Sequence, residues 1–119
     1  MTDVALRPGH VTWAWLDPSV GREQSGRRPV VVVSSSRYNE IIDSLCIVIP
    51  VSGTDRGWPN HVRLRGSIDS IEGYAMTEQP RALSRERLAE PVGTVDADCL
   101  AEIRLWLGDF LDLGGYGRP

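Results

Sequence analysis

The chain predicts a mainly β fold of the α+β kind. The expected form is a small β-barrel-like sheet of five or six short strands with one C-terminal helix packed on it. Three observations carry this reading. Pro29–Ser34 holds four consecutive valines, the mark of a strand buried on both faces. Ser44–Ser52 is a second apolar run of the same character. Behind Asp96, the positions Cys99/Leu100, Ile103, Trp106/Leu107 and Phe110/Leu111 recur at helical spacing. At 119 residues the chain has room for one domain. Its core is expected over about residues 7–113, with 1–6 and 114–119 as tails.

The first strand is Val11 to Leu16, closed by Asp17-Pro18. Val20 to Arg28 is polar, contains Gly21 and Gly26, and reads as a loop. Pro29 opens the valine strand, a position where proline is permitted. Ser35 to Ile42 is a connector with a helical turn. Gly53 to Asn60 carries Gly53, Asp55, Gly57 and Pro59 and reads as a loop with Trp58 on it. His61 to Arg65 alternates polar and apolar, a strand with one wet face. Gly73 to Gln79 alternates as well, beginning buried and ending at a polar rim. Ser84 caps one helical turn through Leu88. Asp96 caps the last helix, Asp98 adds favourable charge in its first turn, and Gly108 costs it about 1 kcal/mol relative to alanine.

All 13 basic residues are arginine, whose planar fork binds phosphates and carboxylates in a bidentate way; biased codon usage accounts for the same fact. The net charge of −3 conceals an asymmetry: residues 1–65 carry eight arginines against six acids, and residues 66–119 five against ten. That balance argues against indiscriminate nucleic-acid binding but allows a local basic groove from Arg22, Arg27, Arg28, Arg56 and Arg63. The N-terminus has no apolar core followed by a small-residue cleavage site, and no run approaches the ~20 apolar residues of a membrane span. A soluble cytoplasmic protein with no membrane contact is expected. Cys46 and Cys99 read as two buried thiols rather than a disulfide. Two scattered histidines and two cysteines make no metal-ligand set, and no cofactor motif occurs, so neither metal nor cofactor is expected.

The segment Gly21 to Pro29 is the most unusual in the chain. Arg28 stands where a loop meets a rigid strand, and Pro29 restricts its backbone. Glu23 paired with Arg27 or Arg28 in solvent explains the same charges. Ser52 ends the other central strand, where a hydroxyl usually caps a turn. If the two central strands are neighbours, Ser52 and Arg28 face one another across a cleft. His61 is a lone histidine, weak evidence for a catalyst by itself, and His10 is weaker still. Trp58 beside arginines suits stacking on an unpaired base, and equally a loop anchor or subunit contact. Trp13 and Trp15 share a strand face.

Taken in order, these residues resemble the MazF/PemK toxins. Asp17-Pro18, then Gly21-x-Glu23-Gln24-x-Gly26-x-Arg28-Pro29 with the valines and Ser34, looks like that family's opening signature. Ile49-Pro50-Val51-Ser52 is similar to its strand ending in Pro-x-Thr/Ser. Gly57-Trp58-Pro59-x-x-Val62 is similar to its aromatic-Pro loop and next strand. Gly73-Tyr74-Ala75-Met76-x-Glu78-Gln79-x-Arg81 is similar to its strand ending in an acid-Gln pair. Leu88, Val92-Gly93-x-Val95 and the final helix complete a likeness covering about residues 7–113.

The resemblance implies an SH3-like, PemK-like β-barrel assembled as a homodimer. It implies a metal-independent, sequence-specific endoribonuclease that cuts single-stranded RNA by 2′-OH attack, leaving 2′,3′-cyclic phosphate and 5′-OH ends. A MazE-like antitoxin would occupy its RNA groove. The family's catalytic arginine falls on Arg28. Its catalytic threonine falls on Ser52, a departure that keeps the hydroxyl and loses the methyl. Glu23 joins them as a catalytic candidate, and either Glu23 or His61 could carry the proton. Gln24, Arg27, Arg56, Trp58, His61 and Gln79 are the candidate RNA contacts. Three other functions fit the same fold. One is a gyrase-binding toxin of the CcdB type, disfavoured by an end of Gly117-Arg118-Pro119 where that type has Trp-Gly-Ile. The others are a non-catalytic SH3-like binding module and a decayed relative that only binds antitoxin.

Overall fold

In the computed structural model, residues 5–16 and 26–113 are described. Arg22, Glu23, Gln24, the Asp17-Pro18 turn and the segment from Gly114 onward lie outside them. Eight strands and two helices follow in chain order: β1 His10–Trp15, β2 Arg27–Val32, α1 Ser36–Ile41, β3 Leu45–Ser52, β4 His61–Arg63, β5 Gly66–Ile68, β6 Tyr74–Met76, β7 Arg81–Ser84, β8 Gly93–Val95 and α2 Ala97–Phe110. The expected five or six strands are all present. Added to them are β5, β7 and β8, of three or four residues each.

The strands form one antiparallel sheet in the order β4-β6-β3-β2-β1-β8-β5, with β7 paired to the first half of β3. The two ends of that path, β4 and β5, are separated in sequence only by Leu64 and Arg65. The sheet therefore curls until its edges meet in one stretch of chain, which makes the expected barrel.

The valine strand is buried on both faces, as its run of valines predicts. Val31, with Val11, Ile49, Val51, Val62 and Ala75, packs beneath Cys99 and Ile103 of α2. Val30 and Val32 point the other way, into a second cluster with Ala14, Cys46, Val48 and Leu83. Cys46 and Cys99 are both buried and unbridged, one in each cluster. Burial pushes the Cys46 thiol up to about 11, against a smaller opposing pull from the Arg85 charge.

The caps fall where the sequence places them. Asp96 accepts the Cys99 amide at 2.8 Å, and Ser84 accepts the Glu86 amide at the start of a 3-10 turn over Arg85–Arg87. Ser35 caps α1 through the Tyr38 amide at 3.0 Å. Behind α1, Asn39 is buried and tied to Ser34 and the Leu6 carbonyl. No helix among the described residues is long and apolar enough to cross a membrane.

Candidate active site

β2, β3, β6 and β4 lie side by side, and their register sets the site. Val30 pairs with Pro50 and Val31 with Ile49. Continued outward by two residues, the same register sets Arg28 against Ser52. Ser52 pairs in turn with Tyr74, and Tyr74 with Arg63. Residues paired across a sheet share a face. One row therefore carries Arg28, Ser52, Tyr74 and Arg63 across four strands, on the face away from α2.

A cleft of about 320 Å³ opens at this row, lined by Leu16, Arg28, Pro50, Ser52, Arg56, Met76, Gln79 and Arg81. Its charged lining among the described residues is three arginines with no carboxylate. Such a lining suits an anion: three guanidinium forks, of which Arg81 is tied to the Leu16 carbonyl at 3.2 Å, beside a strand-end hydroxyl. Ser52 is buried, and its Oγ accepts the Thr54 amide at 3.1 Å. Gly73 lets the chain pass close behind it, for a Cβ there would sit 2.7 Å from the Ser52 carbonyl oxygen.

Trp58 is half exposed on its loop. The turn that presents it is fixed by Gly57, at φ +76°, and by Asp55 accepting the Gly57 amide at 2.9 Å. His61 lies beneath Trp58, with ring centroids 4.8 Å apart. The His61 side chain is 1% exposed, and its Nε2 lies 3.0 and 3.1 Å from the two Glu78 carboxylate oxygens. Asn60 Nδ2 donates to the same carboxylate at 2.8 Å, and Gln79 Nε2 at 3.1 Å. Burial works to raise the Glu78 pKa. Its own backbone N–H and the bonds from His61, Gln79 and Asn60 outweigh that, and the carboxyl is held below its ordinary value.

Of the residues expected from sequence, the structure brings Arg28, Ser52, Arg56 and Gln79 together in the cleft. Trp58 and His61 form a buttress beside it, with His61 turned to Glu78 rather than to the cleft. Arg27 is not brought in. Strand alternation sends it to the opposite face, where its guanidinium stacks 4.9 Å from Trp13 and 5.9 Å from Trp15. Glu23 and Gln24 fall outside the described residues. Sequence reasoning missed Arg81 and the carboxylate hub at Glu78. Arg81 carries one findable signal, its place two residues after the Glu78-Gln79 pair.

Comparison with known proteins gives a consistent answer. Residues 7–111 match the family model described as PemK-like, MazF-like toxin of type II toxin-antitoxin system. The chain is 34% identical to the endoribonuclease toxin MazF of Escherichia coli K12, over 81% of this chain and 85% of that one. It is 35% identical to endoribonuclease MazF9 of Mycobacterium tuberculosis H37Rv, over 91% and 98%. Among solved structures, MazF from Deinococcus radiodurans superposes with a TM-score of 0.78 at 35% identity, covering 92% of this chain and 99% of that one. The MazE-MazF complex from the same organism matches at 0.78 and 33%, over 93% and 99%.

Proposed function

Because the chain belongs to the PemK-like, MazF-like toxins of type II toxin–antitoxin systems and is an endoribonuclease of that kind, we propose that it cuts single-stranded RNA at a short sequence, without a metal ion, in the cleft between Arg28 and Ser52. The ribose 2′-oxygen attacks the adjacent phosphorus, and the bond to the 5′-oxygen breaks. The 2′-OH proton passes to a base, the leaving 5′-oxygen takes one up, and the products are a 2′,3′-cyclic phosphate and a 5′-OH end.

Negative charge builds on the non-bridging oxygens as the attack proceeds. The Arg28 guanidinium and the Ser52 hydroxyl would receive it, and their common place in the lining of one cleft, just beyond the paired Val30 and Pro50, is the observation that supports the reading. Arg28 is not the proton carrier, since arginine stays protonated below about pH 12. His61 Nε2 is taken up by Glu78, and its Nδ1 is buried with no partner among the described residues, so neither ring nitrogen is open to the cleft. The proton-accepting role therefore goes to Glu23, five positions before Arg28 in the sequence. A cleft lined by three arginines supports metal independence, because it repels a divalent cation while attracting phosphate. Arg56, Arg81, Trp58, Gln79 and Gln24 are assigned to the flanking nucleotides.

A MazE-like antitoxin is the proposed partner, as in the complex from Deinococcus radiodurans, and the proposed place of action is the cytoplasm. The proposed assembly is a homodimer. The exposed Leu105, Phe110, Leu111 and Leu113 at the end of α2 support self-association.

The test is cleavage of a long single-stranded RNA in excess EDTA, with the ends mapped. Discrete cuts bearing 5′-OH ends are expected, and Arg28→Ala should slow them about 10²–10³-fold. Absence of cutting by folded protein across many sequences would point to a binding toxin or an inactive relative instead.

A further inference from the structure

The Gln79 side chain is held by its nitrogen. Nε2 lies 3.1 Å from Glu78 Oε2 and 3.7 Å from Met76 Sδ, so both hydrogens of the NH2 group have an acceptor. Its carbonyl Oε1 has no protein partner among the described residues. Gln79 is exposed and lines the cleft with Arg28 and Ser52.

The amide cannot turn over without loss. Glu78 is an ionised carboxylate and only accepts hydrogen bonds, so the reversed amide would set oxygen against oxygen. Nor can the carboxylate swing away. His61 Nε2 reaches both of its oxygens, and Asn60 Nδ2 holds Oε1. Asn60 is itself buried, donating to Thr77 Oγ1 at 3.1 Å and accepting from that hydroxyl through its backbone carbonyl at 2.8 Å. His61 is clamped under Trp58. Two buried side chains thus fix a carboxylate, and the carboxylate fixes which end of an amide is free.

We propose that Gln79 is an acceptor-only reader of one base of the RNA. Its free carbonyl selects a nucleobase with an exocyclic amino group and rejects uracil, while Glu78, Asn60 and His61 act as positioning residues that set this polarity. Adenine, cytosine and guanine each present an NH2 group. Uracil presents one N–H between two carbonyls, whose oxygens repel the Gln79 oxygen. Once bound RNA covers the cleft, an acceptor left unpaired costs enough for about 10- to 100-fold discrimination. The inference rests on the cleft being the RNA site.

The experiment uses oligonucleotides built on a cleavage site found in a long RNA. Each position is replaced singly by the other three bases, and kcat/KM is measured for wild type and Glu78→Gln. Wild type should reject uracil about 10- to 100-fold at one position. In Glu78→Gln, residue 78 offers either an oxygen or an NH2 group, and the Gln79 amide is free to turn. Rejection at that position should fall about tenfold, while the other positions keep their preferences. Should Glu78→Gln fail to fold, the wild type supplies the readout. The Gln79 side-chain NH2 resonances, assigned with Gln79→Ala, should shift in step with protonation of the Glu78 carboxylate, followed at its carboxyl carbon resonance. Failure to co-titrate overturns the proposal. If folded wild type cuts no RNA, the reading of the cleft falls and this inference with it. If wild type cuts and tolerates uracil everywhere, or Glu78→Gln keeps the full profile, only this inference falls.

Discussion

Ser52 Oγ accepts the Thr54 amide, which leaves its own hydrogen available to the cleft it lines. The turn-capping role and the catalytic role expected of this hydroxyl are therefore compatible. Ser52→Ala should lower kcat on a fixed oligonucleotide by about 10²-fold with little change in KM, because the lost bond forms mainly as charge develops. Ser52→Thr should match or exceed wild type, since β-branching narrows the χ1 choices of the same hydroxyl. An alanine variant as fast as wild type would remove Ser52 from the mechanism. The positions of Arg28 and Ser52, beside the ends of two strands whose apolar runs are unmistakable, are legible in the sequence. The Glu78 hub was not. It exists only because β4 pairs with β6 in the register His61 to Met76, which brings Asn60 and His61 to the polar rim after Met76. Neither partner has a sequence signal pointing to the other.

At the scale of elements, α2 was read almost to the residue, because a capping aspartate and a regular apolar spacing both act locally. The same helix carries its own weakness. A Cβ at Gly108 would meet nothing within 4 Å, so the glycine is not there for space. Gly108→Ala should raise stability by about 1 kcal/mol in urea unfolding monitored by circular dichroism. A neutral or negative result would mean that a second chain covers this face closely. β5 and β8 escaped the sequence for the opposite reason. Each is three residues long, too short for any periodicity to show. They are set by close backbone approach, since a Cβ on Gly66 or Gly93 would collide with the partner strand. The tertiary fold uses glycine at both places to let two strands touch.

For the molecule as a whole, a net charge of −3 and an anionic substrate are reconciled by placement. Arg28, Arg56 and Arg81 converge on one cleft. Three phosphate contacts on a single strand predict a log–log slope of RNA affinity against salt near −2, and Arg56→Ala should flatten it by about 0.7. A slope near zero would place recognition on the bases alone. The order of strands has a separate consequence, which concerns time. The sheet is completed by β8, which joins β1 to β5, and its inner face is sealed by Cys99 and Ile103 of α2. Arg28 to Arg81 contain every described cleft residue except Leu16, and they sit on a sheet whose core the later elements close. A chain ending at Pro91 should show no cooperative unfolding transition and cut no RNA, and folding or cutting by that fragment would disprove the dependence. A polypeptide that still lacks β8 and α2 should therefore be harmless, and the messages near the ribosome making it should be spared until those elements emerge.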